Sequence, residues 1–161
     1  MSYTSNPSGI GNFLQVQQTG LAVNAQNKAF SYQTSVRSTA SSSALAYGMG
    51  FYFTPKYIGT IRFDSAVSSY ASSQSTNCSV SCYYGTGTAP NSLGSLAGGN
   101  QIGGNKGVYN ATSITYPYHS SWVAEITGLV TGRRYWFDIG LKGGTATCSV
   151  SDIQMYIQEK Y

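Results

Sequence analysis

Apolar and polar side chains alternate with a period of two along most of the chain after Ala29. Alternation of this kind builds strands with one covered face, whereas a helix would repeat its apolar positions every three to four residues. Phe30, Tyr32, Thr34 and Val36 alternate with Ser31, Gln33, Ser35 and Arg37, which predicts a two-faced strand ended by the Ser-rich run 38–43. Leu45, Tyr47, Met49, Phe51 and Phe53 follow, set against Ala46, Gly48, Gly50 and Tyr52. Glycines at alternate positions leave that second face nearly bare, the mark of a bulge, of tight sheet packing, or of a flat face where subunits meet. Further strands are predicted over 57–63, 78–84, 108–115 and 122–126, with 68–76 a polar loop and 116–119 a turn.

The stretch from Ile126 to Leu141 fixes the architecture most firmly. Leu129, Gly132 and Tyr135 stand in the spacing L-x-x-G-x-x-Y, which matches a tyrosine corner, where the phenol at the start of a strand bonds back to the backbone just upstream. That device belongs to Greek-key sandwiches and carries the chain from one sheet to the other. Beyond it, Tyr135, Phe137 and Ile139 alternate with Trp136, Asp138 and Gly140, which predicts a half-buried strand. Gly143 and Gly144 predict a hairpin. Ala146, Cys148 and Val150 then face inward, the parity slips near Ser151 and Asp152, and Ile153, Met155 and Ile157 resume it, so a bulge or a separate last strand is expected there. No segment has helical periodicity. The chain therefore predicts an all-β fold, an antiparallel Greek-key β-sandwich of about eight to ten strands over residues 30–161. Residues 1–29 are rich in Asn, Gln, Ser and Gly, with 13–17 their single strand-like run, and predict an N-terminal arm or attachment segment.

Composition narrows the range of functions. Charged residues make up 9% of the chain, far below the ~25% of ordinary domains, and fourteen tyrosines supply side chains able to face protein or water. The net charge of +4 comes from scattered Lys and Arg, of which only Arg133 and Arg134 are adjacent, so no nucleic-acid partner is expected. Nothing approaches the ~18 consecutive apolar residues of a spanning helix, nor a basic start followed by an apolar run, so neither membrane insertion nor a secretory leader is expected. Cys78, Cys82 and Cys148 are odd in number and lie at inward-facing positions, which predicts small buried hydrophobes rather than a disulfide framework. With the single His119 they form a poor zinc set, and no metal or cofactor is expected. Of the five acids, Glu125 and Asp138 are the pair that could approach across neighbouring strands, although solvated strand residues are the ordinary reading. His119 beside Ser120 and Ser121 lacks a nucleophile elbow and an orienting acid. No catalytic residues are assigned, and the chain is not expected to be an enzyme.

Binding is the better prospect. The Gly-rich connection from Gly85 to Gly107 is longer than a packed domain needs, and Tyr84, Gly85, Thr86, Gly87, Pro90, Asn91, Asn100 and Asn105 form the candidate binding loop. Tyr109, Tyr116 and Tyr118 form a candidate aromatic surface. Surfaces rich in Tyr, Ser, Asn and Gly recognise partners at low entropic cost, and they suit protein contacts or stacking on sugars.

The runs Leu45–Gly50, Tyr84-Gly85-Thr86-Gly87-Thr88-Ala89-Pro90, Thr127–Leu129, Tyr135-Trp136-Phe137-Asp138-Ile139-Gly140-Leu141 and Gly144–Thr147 resemble a group of small tailed-bacteriophage virion proteins. The resemblance covers about residues 44–157, and its most specific motifs are Y-G-T-G-T-A-P and Y-W-F-D-I-G-L. It implies a non-enzymatic virion structural protein with a jelly-roll-like domain, a homotrimer assembled in the host cytoplasm. Two placements follow from it. A capsid decoration or head-fibre protein would grip the major capsid protein or another virion protein through the arm before Phe30, which a short chain without a shaft suits. A tail-fibre or receptor-binding tip would turn the 85–107 loop toward a host surface sugar or protein. A free carbohydrate-binding module is the third possibility.

Overall fold

The computed structural model describes residues 27–73, 78–108 and 118–160. Among them are ten strands: β1 (Lys28–Gln33), β2 (Arg37–Thr39), β3 (Leu45–Ala46), β4 (Phe51–Phe53), β5 (Ile61–Ala71), β6 (Ser79–Thr86), β7 (Asn100–Gly107), β8 (Tyr118–Ile126), β9 (Tyr135–Lys142) and β10 (Cys148–Glu159). They form two five-stranded antiparallel sheets. Sheet I runs β1-β10-β5-β8, with β2 also paired to β10, and sheet II runs β3-β9-β6-β7, with β4 also paired to β9. With β1 and β2 taken as one interrupted strand, and β3 and β4 as another, the strand order is one, eight, three, six facing two, seven, four, five. That interleaving is the jelly-roll arrangement of a β-sandwich.

The interior follows from the alternation. Ile61, Phe63 and Val67 of β5 and Ile153, Met155 and Ile157 of β10 point from sheet I onto Val80, Cys82, Phe137, Ile139 and Leu141 of sheet II. Phe137 is the hub: its ring stacks on Phe63 across the sandwich at 5.8 Å, lies 6.0 Å from Tyr84, and meets Phe51 at 6.3 Å. The three cysteines are buried and free, and burial pushes the Cys148 thiol up to about 12 and that of Cys82 higher still, so they pack as small apolar groups.

Several local expectations give way to tertiary pairing. The strand predicted over 30–37 is two strands, β1 and β2, and Phe30, Tyr32 and Val36 are exposed. The strand predicted over 45–53 breaks into β3 and β4, because two extra residues loop out between the pairs Ala46–Gly140 and Phe51–Phe137, with Gly48 and Gly50 at φ 86° and 58°. Strand β5 begins at Ile61 and runs through Ser68, Ser69 and Tyr70, where a polar loop was expected; pairing with β10 on one side and β8 on the other satisfies its backbone. Residues Tyr118 and His119, expected in a turn, begin β8. Gly143 and Gly144 do not make a hairpin, since β9 and β10 lie in different sheets; their amides bond to Ser41 and Ala40 carbonyls as the chain crosses over. The strand predicted over 108–115 lies outside the described residues apart from Val108.

Strand β9 departs furthest from expectation. Its alternation predicts a half-buried strand, yet Tyr135 to Leu141 are all buried. Its outer side, Trp136, Asp138 and Gly140, is roofed by a second apolar cluster of Ala46 and Leu96 with Tyr52, Tyr83 and Ala89 packed beside it. A central strand with both faces covered reads in sequence like a half-covered one whenever one cover is a loop.

Truncating the hub ring tests this packing. Phe137→Ala is expected to cost about 3–5 kcal/mol, read as a lower urea midpoint with an unchanged slope; a loss below about 1 kcal/mol would show that the ring is not at the centre of the core.

Candidate functional site

The candidate loop separates into strand, roof and surface once the chain is folded. Tyr84 and Gly85 are inside β6, where the Tyr84 ring packs on Phe137 and Tyr135, and Gly85 lies flat under the Trp136 indole. A Cβ at Gly85 would stand 2.4 Å from that indole, so glycine is required there by contact. The Thr86 carbonyl accepts the Trp136 Nε1 proton at 3.1 Å. The Ala89 amide donates to Tyr52 Oη at 2.8 Å, and Leu93 and Gly94 pair with Ala46 through backbone bonds of 2.7 and 2.9 Å. The segment 87–99 is thus a pinned roof over β9, from which Gly87 and Asn91 reach solvent while Pro90 is half-buried. Asn100 and Asn105 belong to β7, and Asn105 accepts a 2.7 Å bond from Gln101. Of the eight residues, three lie in β6, three in the roof and two in β7. Of the aromatic set, Tyr118 is exposed, whereas Tyr109 and Tyr116 lie outside the described residues.

At the tyrosine corner, Tyr135 Oη accepts the Val130 amide at 2.9 Å, Leu129 is buried, and Gly132 has φ 79°. The turn joins β8 of sheet I to β9 of sheet II.

The ionisable groups are arranged differently from the sequence reading. Glu125 and Asp138 do not approach each other: Glu125 is exposed on sheet I and paired with Lys160, while Asp138 is buried in sheet II. Asp138 accepts the amides of Ile139 at 2.7 Å, Gly48 at 3.1 Å and Met49 at 3.2 Å, which closes the looped-out residues between β3 and β4. Glu159, also buried, accepts the amides of Lys56, Tyr57 and Ile58 and the Asn27 side chain at 2.7–2.9 Å. Burial pushes Asp138 up to about 7, against the pull of its amide donors. Burial pushes Glu159 the same way, but its shorter and more numerous donors prevail and hold it down at about 2. Composition hid both roles, since an acid at alternate strand positions is normally solvated.

The outer face of sheet I is the open surface. Its cross-strand rows read Lys28–Gln158–Arg62–Glu125, then Phe30–Tyr156–Asp64–Val123, then Tyr32–Gln154–Ala66–Ser121, and then Ser68–His119. Phe30 and Val123 are 62% and 71% exposed, values that no covered strand position would show. Ser68 Oγ lies 3.1 Å from His119 Nδ1, and Asp152 shares their groove with its carboxylate bonded by Ser151 Oγ at 2.9 Å. A hydrolytic relay would have the acid orient the imidazole; here the acid is engaged by a neighbouring serine, so the cluster donates and accepts hydrogen bonds.

In comparison with known proteins, the chain matches no protein-family model, and no curated protein matches it as a relative.

The opposed carboxylates give a pH signature. Glu159 stabilises the fold above its ordinary pKa of 4.5, and that contribution is lost as pH falls toward 2. Asp138, raised from 3.8, has the reverse sign: stability declines as pH rises from 3.8 toward 7, because the unfolded chain ionises first. Stability is therefore expected to peak near pH 4–5. Glu159→Gln should flatten the acid limb and cost about 2–3 kcal/mol at neutral pH, and Asp138→Asn should flatten the neutral limb. Denaturant melts across pH that are the same in both variants as in the parent would contradict these assignments.

Proposed function

We propose that this chain is a non-enzymatic bacteriophage virion structural protein, a capsid decoration or head-fibre domain standing on the particle surface. The observation that carries the reading is at one end of the sandwich. There Tyr57, Ile58 and Val130 are about half exposed, on two loops tied together by the Leu129 amide to Gly59 and the Gly132 amide to Pro55. The same end holds Asn27, whose side chain is gripped by Glu159 and the Thr54 carbonyl at 2.8 Å each, and whose carbonyl accepts the Glu159 amide. Asn27, the first described residue, is thus an anchored root beside an apolar patch of the kind that docks on protein.

The motif resemblance supports the same assignment, and the structure gives its residues physical reasons. Y-G-T-G-T-A-P brings Gly85 under Trp136 and Ala89 to Tyr52, and Y-W-F-D-I-G-L supplies the hub ring, the buried acid and the roofed indole. A body whose two buried carboxylates both hold loop backbone fits a building part. The tail-tip reading is favoured by a different observation, the open face of sheet I, whose far end lies beyond the root: Ser68 is seven residues along β5 from Ile61, roughly 23 Å.

Two measurements test the assignment. Deleting residues 1–26, which spares β1, is expected to abolish binding to undecorated phage heads while the melting midpoint is kept; full occupancy by the truncated protein would overturn the decoration reading. Light scattering is expected to give three times the 17.2 kDa of one chain. A parent protein that is monomeric at all concentrations would remove the trimer.

A further inference from the structure

Beyond its proposed place on a particle, the geometry points to a binding groove for a neutral oligosaccharide across the outer face of sheet I. Two depressions of about 440 and 240 Å³ share Ala66, Ser121 and Gln154 and so form one continuous trough. One end is polar, with Ser68, His119 and Asp152; the other is walled by Phe30, Tyr156 and Val123. From Ser68 to Asp64 along β5 the trough runs four residues, roughly 13 Å, a length that takes a short chain of sugar rings.

The trough has a structural cause. Pairing of β10 with β5 skips between Ser151 and Gln154, and Asp152 sits there with φ 48°, a backbone region that residues with a Cβ seldom occupy. A bulge turns the strand and re-aims its side chains; here it brings Asp152 into the wall of the trough, beside Gln154. Small Ala66 and Ser121 form the floor between larger neighbours.

The chemistry selects the ligand. Sugars present apolar C–H faces with hydroxyls around the rim, so their sites combine a flat aromatic wall with amide, hydroxyl and carboxylate groups that both donate and accept. Phe30, with 62% of its surface exposed, supplies the wall, and Gln154, Ser121 and Asp152 supply the rim. The two acids lining the trough are Asp152 and Asp64, the latter already bonded by Arg62 at 2.8 Å. This favours neutral over acidic glycans. The inference holds for either placement of the domain, since the trough runs from Phe30, just past the root at Asn27, away to Ser68 at the far end of the face.

The test is a titration of the ¹⁵N-labelled full chain with chitotriose and maltotriose, and with trigalacturonate as the acidic control. At least one neutral trisaccharide is expected to give saturating amide shifts centred on Ser68, Ser121 and Gln154, with none from trigalacturonate. Phe30→Ala and Gln154→Ala should each weaken binding roughly tenfold without moving the melting midpoint, because both side chains are exposed. The inference is overturned if neither neutral sugar saturates, if the shifts map to 87–99, if the acidic sugar binds as well, or if Phe30→Ala lowers the oligomeric mass, which would assign the face to a second copy of the chain.

Discussion

A sandwich satisfies its strand backbone through the ladders, but the loops that turn its ends carry amides with no ladder partner, and burying them unpaired would cost about 1–3 kcal/mol each. In this protein two carboxylates meet that demand. Glu159, at the end of the last strand, collects the amides of Lys56, Tyr57 and Ile58 together with the Asn27 side chain, and Asp138, in the middle of β9, collects Gly48 and Met49. Each links residues about ninety or more positions apart in sequence. The loops at both places take the shape the acid imposes, and the chain's scarce acids are used as internal fasteners.

That economy bears on what the protein can do. Both buried carboxylates are occupied by backbone amide donors, and buried thiols with raised pKa values are poor nucleophiles. These groups serve the fold, and the outer faces of the two sheets are what meets solvent. Those surfaces are unequal. The 87–99 roof covers β9 of sheet II, whereas sheet I keeps Phe30, Tyr32 and Val123 in solvent, so the two faces of one sandwich present different surfaces.

The period-two pattern was enough to foretell an antiparallel sandwich, the slip near Ser151 and the crossing at Tyr135, because each depends on residues adjacent in sequence. What escaped it depends on distant partners. Whether Trp136, Asp138 and Gly140 face water is decided by Leu96 and Ala89 arriving from a loop forty residues earlier, and Gly85 is explained only by the indole above it. Phe30 and Tyr32 look like core residues by hydrophobicity, yet register with β10 turns Ala29 and Ser31 inward and leaves the rings outside. Part of the candidate loop is a strand for a related reason: glycines at 103, 104 and 107 suggest irregular chain, but an edge strand with an exposed face tolerates them. The trough on sheet I had one legible signal, the parity slip that marks its bulge.

Hydrogen exchange of individual loop amides tests the fastening role of the two acids most directly. Lys56, Tyr57, Ile58, Gly48 and Met49 stand outside the strands, so as ordinary loop residues they would exchange through local fraying. If Glu159 and Asp138 hold them, their protection factors should approach those of β5 and β10 and report global unfolding. Exchange at the rate of open loops would show that the carboxylates do not fasten the sandwich.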